Sequence, residues 1–224
     1  MNSYYRPVPS SMEEYVSGIL VIDNYKVESI FALPLFANGS PTLVFNNKSA
    51  FLPNGPASHF TMFGQTIKPG TLTFHEDFTM IAYFFKPHAL ISLFNVAGNE
   101  LSDAYVDLGL LRHADTNQLQ EILLNCATAD DMLAVLNNYI LTLIGKSKRD
   151  FAQLYIATTL LKDQPATESL KKVQSSLHIT EKTLQRMFDR YVGISPRLYR
   201  RICQFHKAFQ VINLRQFTKL SDVA

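Results

Sequence analysis

The sequence has 224 residues, of which 47% are apolar and 18% charged, with a formal net charge of +2. That is enough apolar material for one large domain or two modest ones, and the low charged fraction points to apolar surface buried in a dimer or against a missing segment. Cys126 and Cys203 are too few and too far apart for a metal motif or a disulfide framework. The start lacks a basic stretch followed by an apolar core, and no window reaches the length of a membrane span, so a cytoplasmic protein with no membrane partner is expected.

Taken in order, the chain begins polar and turn-rich around Arg6 to Ser10, and Tyr15 to Tyr25 alternates as a strand does. From Phe31 to about Tyr83, short apolar runs at Leu43–Phe45, His59–Phe63, Thr71–Phe74 and Met80–Phe85 are punctuated by turn chemistry. The turns are Asn38-Gly39, Asn46-Asn47, Pro53-Asn54-Gly55-Pro56 and Lys68-Pro69-Gly70. Short strands at this spacing predict a small sandwich or barrel rather than alternating strand and helix units. Pro and Gly thin out after Gly109, which sets the edge of a β-rich domain over residues 1–110.

This half shows no arrangement that chemistry requires. His59, His75 and His88 fall on different predicted elements, no H-x-H pair places two imidazoles on one strand face, and no metal ligand set is expected. No glycine-rich phosphate loop is present, and Ser40 and Ser58 lack the strand-to-helix elbow of a nucleophile. No catalytic residue and no cofactor are therefore expected.

From residue 111 to 146 the pattern becomes helical. Leu119, Ile122 and Leu123, then Leu133, Leu136, Tyr139, Ile140 and Leu143, recur at helical spacing with a break around Cys126 to Asp131. Two helices follow, the second capped by Thr128, Asp130 or Asp131. Gly145 to Asp150 reads as a linker. Residues 147–224 then form an all-α module. Phe151 to Leu161 is a helix, Glu168 to Ser176 another, and Thr180 caps a third whose inward side carries Leu184, Met187 and Phe188. Gly193 suits a turn needing positive φ, Ser195 caps the next helix and Pro196 opens it. Between Asp189 and Asp222 no acidic residue occurs, while seven Lys and Arg do, a one-sided charge that fits phosphate contact. The overall expectation is an α+β chain.

Thr180-Glu-Lys-Thr-Leu-Gln-Arg-Met-Phe188, followed by Gly193-Ile-Ser-Pro196 and Tyr199, resembles the first helix-turn-helix of the arabinose-regulator (AraC/XylS) family of bacterial transcription factors. The resemblance covers Phe151 to the end. It implies a regulator that binds promoter DNA with two helix-turn-helix units joined by a long helix. The recognition helix would run from Thr180 to Tyr191. Lys182, Gln185 and Arg186 share its outer side and match positions that enter the major groove. There Gln can pair with adenine and Arg with guanine. Arg190, Arg197, Arg200 and Arg201 are assigned to phosphates. Two positions depart from the family pattern: Gln174 stands where a small Ala is usual, and His178 where a Gly is usual. Phe217 to Ala224 looks like the opening of the second unit, which stops there, so the chain is expected to be cut short.

Leu33-Pro34, Asn38 to Phe45, Ile81 to Pro87 and Asn99 to Leu108 resemble, more loosely, the cupin-like sensor domain carried by some members. What this implies is a small-molecule effector. Phe45, Phe60, Phe74, Tyr83 and Phe85 either line an internal effector cavity or form a solid aromatic core. In such regulators, helices comparable to those in residues 111–146 link sensor to reader and often form the contact of a homodimer; packing within the domain alone is the equal alternative. The function expected is thus a DNA-binding transcriptional regulator. The alternative is a small-molecule- or partner-binding protein whose reader does not function.

Overall fold

The computed structural model describes residues 3–116, 118–147, 151–163 and 169–213. The expected strands form, together with several that the turn-rich segments hid. A six-stranded antiparallel sheet runs in the order β1-β2-β9-β4-β7-β10. Its strands are β1 (Ser3–Arg6), β2 (Val16–Tyr25), β4 (Thr42–Asn46), β7 (Phe60–Phe63), β9 (Phe78–Phe85) and β10 (Tyr105–Asp107). A four-stranded sheet in the order β3-β8-β5-β6 lies against it, built from β3 (Phe31–Leu35), β8 (Gly70–Phe74) and the hairpin β5 (Ala50–Leu52) and β6 (Gly55–Ala57). Asn54 and the positive φ of Gly55 turn that hairpin.

The large sheet has no polar face at its centre, because it is covered on both sides. Side chains alternate across the pleat, so Leu43, Phe45, Ile81, Tyr83 and Phe85 belong to one buried cluster. Their neighbours Val44, Met80 and Ala82 belong to another, with Leu72 and Phe74 of the smaller sheet. The first cluster is closed by helices. After the short α1 (Ala89–Leu93), α2 (Leu119–Leu124) and α3 (Ala129–Lys146) pack onto that outer side, α3 burying Met132, Leu133, Leu136, Ile140 and Leu143. Thr128 caps α3 by accepting from the Asp131 amide at 3.1 Å. The layers are therefore small sheet, large sheet and helices, and residues 111–146 complete the core of the β domain.

The described residues of the C-terminal part form helices only: α4 (Ala152–Asp163), α5 (Ser169–Leu177), α6 (Glu181–Tyr191) and α7 (Pro196–Asn213). They enclose a third core of Leu154, Ala157, Leu161, Val173, Leu184, Phe188, Val192, Ile194, Tyr199 and Ile202. Two residues of the β domain, Ala37 and Ile67, pack against this core. The expected opening of a second unit, Phe217 to Ala224, lies outside the described residues. No helix among the described residues is long and apolar enough to cross a membrane.

Candidate nucleic-acid interface

The turn between α5 and α6 explains one departure from the expected pattern. His178 has φ +52°, the left-handed conformation for which glycine is the usual residue, and the α5 carbonyls are met by the His178 and Ile179 amides. The turn thus keeps its shape with a side chain present. Gln174, half-buried on α5, accepts the Ile179 amide through its backbone carbonyl at 3.0 Å. Thr180 then starts α6, its hydroxyl accepting from the Thr183 amide at 3.2 Å. At the far end the Val192 and Gly193 amides both donate to the Phe188 carbonyl, and Gly193 takes φ +88°. Ser195 accepts the Leu198 amide at 3.2 Å and begins α7 with Pro196.

Helical periodicity divides α6 cleanly. Leu184 and Phe188 are 1% and 0% exposed, Phe188 packing edge-on against Tyr199 at 5.6 Å. Lys182, Gln185 and Arg186, spaced i, i+3 and i+4, are all exposed and share the opposite side. The structure therefore brings the three expected base-reading residues onto one surface. Arg190, Arg197 and Arg201 are also exposed, whereas Arg200 is half-buried. Arg197 lies 3.7 Å from Glu181, an ion pair with both partners about three-quarters exposed and hence weak. Arg190 sits over the Tyr191 ring, its guanidinium carbon 5.6 Å from the centroid.

The five aromatic residues weighed as an effector site do not converge. Phe45, Phe60, Tyr83 and Phe85 point from the large sheet toward α3, while Phe74 lies on the far side of that sheet, stacked on Phe78 at 3.7 Å. The pleat of the large sheet separates the two groups, so Phe74 is corrected out of the set. Among the four, Phe45 and Phe60 meet edge-on at 5.9 Å, Phe60 reaches Tyr139 of α3 at 6.1 Å and Phe85 reaches Phe94 at 5.8 Å. Tyr83 is fully buried, and its hydroxyl donates to Asn137 Oδ1 of α3 at 2.8 Å. Sequence reasoning passed over Asn137, since a lone polar residue on a helix carries no sign of its partner.

The histidines lie apart. His59 Nδ1 is 2.8 Å from the Asn46 carbonyl, and His75 packs edge-on to Phe51 at 5.2 Å. His88 is 4% exposed between Tyr15 and Phe151, and burial, reinforced by the Lys86 charge, lowers its pKa to about 4. Among the described residues no group of three or more His, Cys, Asp or Glu is placed to hold a metal ion.

The geometry defines a helix-turn-helix-like unit, its outward polar helix face standing above a sealed core, docked on an antiparallel β domain. A family model for a domain of unknown function (DUF6597) matches residues 5–107. No curated protein matches the chain. Among solved structures, unsaturated-fatty-acid-bound wild-type ToxT from Vibrio cholerae strain SCE256 is similar over 92% of this chain and 84% of that one, at 14% identity and a TM-score of 0.50. ToxT from Vibrio cholerae O395 is matched over 94% of this chain and 91% of that one, at 11% identity and a TM-score of 0.46. At such identities the likeness concerns the fold: a β domain followed by a helical region.

Proposed function

We propose that this chain is a sequence-specific DNA-binding transcriptional regulator of the AraC/XylS type, with α6 as its recognition helix. The observation that carries the reading is the exposed trio Lys182, Gln185 and Arg186 on one side of a short capped helix whose other side is sealed into a core. A groove-reading helix needs that division: base contacts require polar side chains free to reach out, and register requires a rigid support. The flanking Arg190, Arg197, Arg200 and Arg201 contact phosphates and supply most of the affinity and its salt dependence. The β domain receives a small-molecule effector, as the fatty-acid-bound state of the similar ToxT structure favours. The protein acts as a homodimer, for which the exposed Ile122 and Leu124 of α2 and Leu141 of α3 supply apolar contact area.

The test is binding to the DNA upstream of the protein's own coding region, followed by fluorescence anisotropy over a range of salt. Affinity falls steeply with salt. Gln185→Ala and Arg186→Ala each weaken binding by about 5- to 150-fold, the equivalent of 1–3 kcal/mol per bidentate base contact. Arg197→Ala and Arg201→Ala weaken binding to all sequences alike and reduce the salt slope by about one each. Salt-insensitive binding, no binding, or indifference to Lys182→Ala, Gln185→Ala and Arg186→Ala alike refutes the proposal.

A further inference from the structure

The C-terminal end of α6 does not end in solvent. It is seated on the β domain by contacts between backbones. A Cβ atom placed on Gly98 would come within 2.5 Å of the Gly193 nitrogen and 2.7 Å of the Val192 carbonyl carbon. The same turn is held from behind, since a Cβ on Gly64, at the end of β7, would lie 1.9 Å from the Leu101 carbonyl oxygen. Gly98 to Glu100 form a single 3-10 turn, and at Gly98 its backbone meets the backbone of the turn that ends the recognition helix with no side chain between them. Two polar contacts fix its register: Ser102 Oγ donates to the Gly193 carbonyl at 2.5 Å, and Asn99 Nδ2 donates to Asp189 Oδ2 at 3.1 Å.

We propose that Gly98, Asn99 and Ser102 are positioning residues for the DNA reader, transmitting the placement of the large sheet to α6. This rests on the reading of α6 as a recognition helix. Side-chain contacts between domains can adapt by changing rotamer, but backbone against backbone cannot, so a displacement of the turn must move the end of α6 or open the seam. The contact lies at residues 189–193, beyond Lys182, Gln185 and Arg186, which stay exposed. Docked, the helix presents its reading side from a fixed base, and loosening the seam removes that preorganisation. Gly39 makes a second approach, where an added Cβ would come 3.4 Å from Cys203 Sγ of α7. Phe36 meets Phe209 of the same helix at 5.1 Å. The reader is thus held at α6 and α7 together.

Gly98→Ala tests this directly, because residue 98 lies in the β domain and is not among the positive-φ glycines, so the added methyl acts as a wedge without backbone strain. Ser102→Ala, which removes the hydroxyl without adding bulk, serves should the wedge impair folding. Hydrogen exchange over residues 186–194 and affinity for the upstream DNA are measured on each variant and on the unmodified protein. The expected result is at least tenfold faster exchange and about five- to tenfold weaker DNA binding for Gly98→Ala, with smaller changes of the same sign for Ser102→Ala. Unchanged exchange in both variants overturns the inference, as does faster exchange with DNA affinity unchanged or increased. If the unmodified protein binds no DNA, the recognition-helix reading fails and this inference with it; binding that ignores both variants overturns this inference alone.

Discussion

The hydrogen bond from Tyr83 to Asn137 ties the central sheet to α3, and its two ends differ in a way that a denaturation experiment can read. Tyr83 is fully buried, and burial pushes its phenol well above the ordinary tyrosine range, so the hydroxyl remains a donor. Asn137 is half-buried and can turn to water. Asn137→Ala therefore strands a buried O–H with no acceptor, at a cost of about 1–3 kcal/mol. Tyr83→Phe removes the donor and leaves an amide that rehydrates, costing about 0.5–1.5 kcal/mol. The asparagine substitution is thus the more damaging by about 1 kcal/mol, because it strands the buried hydroxyl rather than a group that can rehydrate. With a urea m-value near 3 kcal/mol/M, the two midpoints differ by about 0.3 M. Urea melts followed by far-UV circular dichroism measure this, with coincidence of a second probe checking two-state behaviour. Combining Tyr83→Phe with Asn137→Leu, which removes both polar groups, recovers part of the loss. A Tyr83→Phe midpoint at or below that of Asn137→Ala refutes the argument.

Other outcomes follow from single features. His88 has a folded pKa of about 4 against an ordinary 6.5, so as pH falls the unfolded chain takes up the proton first. Stability is full above pH 6.5 and declines toward pH 4 by up to about 1.4 kcal/mol per pH unit; His88→Gln flattens that slope in melts across the window. Phe188→Ala empties the centre of the helical core and costs about 3–5 kcal/mol, seen as loss of exchange protection across α4 to α7 before the β domain opens. Thr180→Ala removes the cap of α6 and costs about 1 kcal/mol in the same melts. Glu181→Gln breaks an exposed ion pair and removes the carboxylate from the first turn of α6, so it costs at most about 1 kcal/mol while strengthening DNA binding at low salt through the freed Arg197.

What the sequence determined by itself lies in local, periodic features. Apolar spacing set α3 and α6, and local capping chemistry placed Thr180, Ser195 and Gly193 and narrowed the cap of α3 to Thr128, Asp130 or Asp131, of which the structure selects Thr128, because a cap and its helix are neighbours in the chain. The outward placement of Lys182, Gln185 and Arg186 was legible for the same reason: 3.6 residues per turn and two buried anchors leave one side free. Only the tertiary structure decided which aromatic rings share a space. Phe74 and Phe45 have the same character and similar flanks, and the sheet that divides them exists only once β2, β9, β4 and β7 have paired. The edge strands β1 and β10 and the hairpin β5–β6 were equally hidden, since three or four residues carry too little alternation to register. The seam at Gly98 and Gly193 was the least legible of all. A glycine needed for a turn and a glycine needed for close backbone approach look alike in a sequence; Gly193 serves both purposes, and only the packing of the β domain on α6 tells them apart.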